Sequence, residues 1–172
     1  FNILCNGDNG WIDINIDGGS GPGTYNYSWK DNTGQEIGTS EDLAAVKAGS
    51  YRVSVTDANG CILNRGISLT EPMPISLTVD VTHITCINAP QYNDGAVDLS
   101  ISGGVGPFIT SWSGPSGYTA STEDIGGLVT GRYYLTVTDS YNCTASLDTM
   151  IIMPVPVTIS KTVSDYNGYE IT

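Results

Sequence analysis

Four cysteines, 18 carboxylates and a single histidine are the side chains in this 172-residue chain with chemistry to offer. Cys5, Cys61, Cys86 and Cys143 stand singly. Zinc takes closely spaced Cys or Cys/His pairs, and none occurs. Lone cysteines in small β-rich units read instead as disulfides of an oxidising compartment. Three connectivities are possible on paper. Among the carboxylates, Asp8 and Asp57, with Asn6, Asn9 and Asn59, form loop clusters of the hard oxygen donors that calcium takes. Their spacing is not that of an EF-hand, and such side chains also simply close turns. Calcium is therefore a secondary expectation, and no other cofactor is expected. His83 has no Cys or Ser partner in a catalytic pattern, and no carboxylate pair is singled out. Nothing argues for an enzyme.

Two further features invite a ligand. Gly18-Gly-Ser-Gly-Pro-Gly23 follows a strand pattern. A phosphate loop would need a helix N-terminus next, and a strand pattern comes instead. Tyr25, Tyr27, Tyr118 and Tyr134 are aromatic rings on strand patterns that could stack on sugars. They make a carbohydrate-binding module, appended to a secreted enzyme, the alternative reading of function.

The formal charge of −12 repels phosphate backbones and anionic membranes, so nucleic acid is not an expected partner. No apolar run reaches membrane length, and no membrane insertion is expected. The pattern begins part-way through at Phe1, which reads as a piece cut from a longer array.

The elements that position these residues come in duplicate. Gly49-Ser-Tyr-Arg-Val-Ser-Val-Thr-Asp-Ala-Asn-Gly-Cys61 alternates as a half-buried strand and then turns. It returns 82 positions later as Gly131-Arg-Tyr-Tyr-Leu-Thr-Val-Thr-Asp-Ser-Tyr-Asn-Cys143. Recurrence at a fixed period marks a repeat. Ile12, Ile14 and Ile16 are matched by Val97, Leu99 and Ile101, and Trp29 by Trp112. These positions, with Tyr51 and Tyr133, are expected to be structural core. Because equivalent cysteines occupy equivalent points, the favoured bonds are Cys5–Cys61 and Cys86–Cys143. Each would close a loop worth roughly 4 kcal/mol in the chain-entropy model.

The expected divisions are 1–72, a first unit lacking most of its first strand; 73–155, a second unit; and 156–172, the first strand of a truncated third. Pro72 and Pro74 stiffen the short link, so limited bending is expected. Strands are expected at Trp11–Asp17, Tyr25–Trp29, Cys61–Thr70 and from Pro74 onward, with at most one helical turn between 39 and 47. Val46-x-x-Gly-x-Tyr51 suggests a tyrosine corner, whose hydroxyl bonds back to upstream backbone. Residues 157–163 are expected to cover an open sheet edge, that of the first unit in a neighbouring molecule.

The joint pattern Gly18-Gly-Ser-Gly-Pro22, Ser28-Trp29, Gly49-Ser-Tyr51, Val55-Thr-Asp57, Asn59-Gly-Cys61 and Glu71-Pro72 resembles the SprB-type repeat. That repeat occurs in very long, secreted cell-surface adhesins of gliding Bacteroidota. The second copy departs from it, with Tyr141-Asn142 and Met153-Pro154 replacing Asn59-Gly60 and Glu71-Pro72. The resemblance implies an all-β chain of tandem immunoglobulin-like or fibronectin-like sandwiches, each with one internal disulfide, and no catalytic residues. It also implies export by the type IX system to the bacterial cell surface and a part in gliding motility and attachment. The partners implied are neighbouring repeats and an extracellular surface or polysaccharide.

Overall fold

The computed structural model describes residues 3–20, 24–85, 92–155 and 159. Among the described residues the chain is all-β apart from a one-turn 3-10 segment at Pro115–Gly117. In the N-terminal half, β1 (Gly10–Ile12) pairs with β4 (Leu43–Val46). Facing them is a four-stranded antiparallel sheet. It comprises β2 (Asn26–Lys30), β3 (Glu36–Gly38), β5 (Gly49–Thr56) and β6 (Ile62–Leu69), in the order β3-β2-β5-β6. Ile12, Trp29, Leu43, Val53 and Val55 fill the space between the two sheets.

The C-terminal half repeats this plan with one strand more. The strands β7 (Ser76–Thr82), β8 (Gly95–Ser102) and β11 (Ile125–Leu128) form one sheet, in the order β11-β8-β7. The facing sheet contains β9 (Ile109–Ser113), β10 (Thr119–Ala120), β12 (Gly131–Thr138) and β13 (Thr144–Ile151), in the order β10-β9-β12-β13. Between them lie Val97, Leu99, Trp112, Leu128, Tyr133, Leu135, Val137 and Ile151. Alternation along β12 is complete: Tyr133, Leu135 and Val137 face in, and Arg132, Tyr134 and Thr136 face out. That is the burial a period-two pattern dictates.

Two expectations about elements change. Residues 39–47 hold no helical turn; Leu43–Val46 is a strand, with Ala45 at φ 57. The Trp29 indole N–H donates to the Ser40 carbonyl at 2.9 Å, and β1 takes up the edge, so tertiary pairing overrides a weak local helical preference. The strand expected at 11–17 stops at Ile12. Its equivalent, β8, runs the full 95–102, paired with β11 on one edge and β7 on the other. Among the described residues nothing occupies the place of β7 beside residues 13–17, which therefore lack a ladder on that side. The expected edge-covering role of 157–163 falls almost wholly outside the described residues.

The expected disulfides are overturned. Cys5 bonds Cys143, 138 residues away, and Cys61 is a free, exposed thiol. The bond joins the two halves instead of closing either one. Neither Cys5–Cys61 nor Cys86–Cys143 forms; Cys86 itself lies outside the described residues. The reason is the path of the link. Thr70 to Ile75 carries the chain from β6 to β7, and the loop holding Cys5 packs beside it. Ile3 N–H donates to the Thr70 carbonyl at 3.3 Å, Gly7 N–H to a Glu71 carboxylate oxygen at 2.7 Å, and Asn6 Nδ2 to the Pro72 carbonyl at 3.1 Å. The link also brings up the loop at 139–143, because Gly104 N–H donates to the Met73 carbonyl at 2.9 Å. Cys5 therefore meets the cysteine of the following half.

Candidate functional site

The duplicated aspartate turn is the most highly organised polar feature. Asp57 Oδ1 accepts backbone N–H from Asn59 at 3.0 Å and Cys61 at 2.8 Å, and its Oδ2 accepts Ser20 N–H at 3.0 Å. Asp139 does the same with Tyr141, Cys143 and Val105, at 2.9, 2.9 and 3.1 Å. Each carboxylate ties its own turn to the glycine-rich loop across the sandwich end. The Ser20 amide, followed by those of Cys61 and Asn59, holds the Asp57 carboxyl below the usual aspartate range. For Asp139, burial pushes upward, but the Cys143, Val105 and Tyr141 amides outweigh it and the net shift is again down. Carboxylates accepting several backbone N–H bonds behave this way.

These bonds occupy the oxygens that a metal would need. Asp8 lines a hollow with Cys5, Pro72, Met73 and Asp139, whereas Asp57 lines a different one with Gly19, Tyr25 and Cys61. Among the described residues, no group of three or more His, Cys, Asp or Glu side chains is placed to hold an ion. The structure does not gather Asp8 and Asp57 into one site.

The expected core residues sit as follows. Trp29 and Trp112 are fully buried, and each indole N–H donates to backbone, Ser40 and Thr122 respectively. Tyr51 Oη donates to the Lys47 carbonyl at 2.6 Å and Tyr133 Oη to that of Val129 at 3.1 Å. Both are tyrosine corners reaching four residues back, and burial raises both phenols. Of the possible sugar-stacking rings, Tyr25 donates to the Gly18 carbonyl and meets Tyr27 edge-on at 6.4 Å. Tyr118 packs edge-on against Tyr133. Tyr134 lies on the outer face of β12 between Arg132 and Thr136, 55% exposed. The four tyrosines form no common platform. His83 Nδ1 accepts the Ile152 N–H at 3.5 Å.

Sequence reasoning gave Asp42 and Asp124 no part in joining strands. They accept the backbone N–H of Ile14 at 3.1 Å and Leu99 at 2.9 Å, standing in for ladder bonds. The signal was present: each aspartate immediately precedes the first core residue of its strand, Leu43 or Ile125.

The facing sheets and corner tyrosines define the class: an all-β chain of immunoglobulin-like sandwich architecture. Residues 2–34 match the family model described as SprB repeat. The match suggests a cell-surface, adhesin-type module that is structural rather than catalytic. No curated protein matches the chain. Among solved structures, the chain is similar to DIP-gamma IG1+IG2, with a TM-score of 0.37, 10% identity, and 75% of this chain and 83% of that one covered. It is also similar to the N-terminal eight Ig domains of Down Syndrome Cell Adhesion Molecule. There the TM-score is 0.34 with 15% identity, covering 88% of this chain but only 24% of that one. Among the described residues, no helix is long and apolar enough to cross a membrane.

Proposed function

We propose that this chain is a non-catalytic stretch of a large, secreted cell-surface adhesin used in gliding motility and attachment, and that it acts as a stiff extracellular spacer. The observation that carries this reading is the junction between the halves. A disulfide, two prolines and backbone hydrogen bonds from both sides restrain a link only a few residues long. A hinge would carry glycines and few contacts; this link has neither property. The divisions at 72/73 and 155/156 are part of the proposal. Each unit ends where β6 or β13 ends and the proline-bearing link begins. The acidic surface keeps a long array soluble and its units apart.

The test uses antibodies raised against the folded chain. They label intact, unpermeabilised cells of the source bacterium, and their Fab fragments slow cell movement and weaken attachment to glass. Labelling only after permeabilisation would overturn the reading. Small-angle scattering of the isolated chain is expected to show one extended shape in oxidising buffer and a broader distribution of shapes after reduction.

A further inference from the structure

The outer faces of the two four-stranded sheets are equivalent, but they neutralise their cations differently. In the C-terminal half, Arg132 on β12 forms an ion pair with Asp148 on β13. Asp148 stands opposite Tyr134 in that ladder. In the N-terminal half the matching ladder sets Arg52 of β5 opposite Gly66 of β6. The place of the carboxylate therefore holds no side chain, and a Cβ on Gly66 would meet nothing within 4 Å. An arginine has been brought to this face and its acid left out.

Arg52 also stands directly opposite Lys30 of β2, and both side chains are exposed. Like charges opposite one another destabilise a sheet. Among the described residues, neither cation forms an ion pair. The acids beside them are turned to other partners. Asp31 Oδ1 accepts the Thr33 N–H at 2.9 Å, the Thr33 hydroxyl at 2.6 Å and the Gln35 N–H at 3.1 Å. Glu36, opposite Lys30 on β3, accepts the Ser28 hydroxyl at 2.8 Å.

Around the two cations lies an open hollow of about 810 Å³, with the hairpin at 31–34 on one side and β6 on the other. Ser50, Ser54, Asn64 and Ser68 give it walls of hydroxyl and amide groups. The Ser54 hydroxyl donates to Asn64 Oδ1 at 2.6 Å, which leaves the Asn64 amide nitrogen to donate outward. Tyr51 and Ile67, the apolar side chains of the lining, pack against the core instead. We propose that this hollow binds an acidic polysaccharide. A ring carboxylate sits on Arg52 and Lys30 over Gly66, and sugar hydroxyls meet the serines and Asn64. A guanidinium takes a carboxylate with two parallel hydrogen bonds, while the ammonium adds a point charge. An acidic peptide would bring the charge without the hydroxyls, and the hollow offers its side chains no apolar pocket. The site is independent of any part in gliding, because its residues all belong to one face of the N-terminal half.

The test is calorimetric titration of the full chain with oligogalacturonate at about 0.15 M salt, where repulsion from the acidic remainder is screened beyond about 8 Å. Saturable binding is expected, with none to neutral dextran oligomers. Arg52→Ala is expected to weaken it by more than about tenfold. Gly66→Asp restores the carboxylate that Asp148 supplies in the other half, and should weaken binding as much. Circular dichroism should show both variants folded, since neither change touches the core. Arg132→Ala should leave binding unchanged. No binding of oligogalacturonate would overturn the proposal, as would full-strength binding by Arg52→Ala or Gly66→Asp. Equal binding of polyglutamate would assign the hollow to an acidic protein instead. Equal binding of dextran sulfate would reduce it to unselective attraction of anions. Any of these results, with labelling of intact cells preserved, would strike the site and leave the spacer reading standing.

Discussion

The N-terminal and C-terminal halves are built to one plan and finished differently. Both bury a tryptophan under a corner tyrosine, and both lock an aspartate turn onto a double-glycine loop. They part where β7 lies: with it, β8 runs for 8 residues and the inward side of β13 is covered, whereas without it β1 runs for 3 and β6 stays open. The comparison shows that an edge strand here does more than extend a sheet. It supplies the apolar cover for the facing sheet and the ladder that keeps its neighbour straight.

Breaking the bond that ties the halves has the largest expected effect. Cys5→Ser, or reduction, removes a cross-link spanning 138 residues, which the chain-entropy model values at about 5 kcal/mol. Thermal unfolding is then expected to resolve into two transitions, the N-terminal half melting first; one unchanged transition would refute the coupling. Next come the buried indoles. Trp112→Ala and Trp29→Ala should each cost about 3–5 kcal/mol in urea unfolding. Trp29→Ala is expected to leave the N-terminal half unfolded while the C-terminal half keeps its near-ultraviolet signal. Loss of both halves together would show that they do not fold separately.

Smaller effects sharpen the contrast. Tyr133→Phe strands a carbonyl beside a buried ring and should cost about 1–3 kcal/mol, whereas Tyr51→Phe, half-exposed, should cost about 0.5–1.5 kcal/mol. Hydrogen exchange should be faster at residues 13–17 than at 98–102 by at least about tenfold, because the latter ladder with β7 whereas, among the described residues, no strand ladders with the former. The acid response is the mildest. The backbone amides around Asp57 and Asp139 hold both carboxyls below the usual aspartate range in the folded chain. Their stabilisation is therefore complete above the unfolded aspartate value and is lost as the pH falls through their lower folded values. Melting temperature should fall on acidification across that window, and Asp139→Asn should flatten the fall. A melting temperature independent of pH there would remove the role given to these turns.

Much of this was legible in the residues. The alternating strands, the two tryptophans, the corner tyrosines and the short proline link all follow from local pattern and from recurrence. The helical turn at 39–47 was misread because a weak local preference counts for little against a sheet edge that recruits Leu43 and Val46. The disulfides were misread for a deeper reason. A repeat reveals which cysteines are equivalent, but equivalence is silent on whether a bond closes within a unit or passes to the next.

The period, the apolar faces, the all-β class and the glycines of the Gly18–Gly19 and Gly103–Gly104 loops were determined by the sequence alone, because each is a local pattern or the recurrence of one. The pairing of Cys5 with Cys143 and the freedom of Cys61 were decided only by the tertiary structure. They depend on where the link from Thr70 to Ile75 runs, and on which edge it reaches.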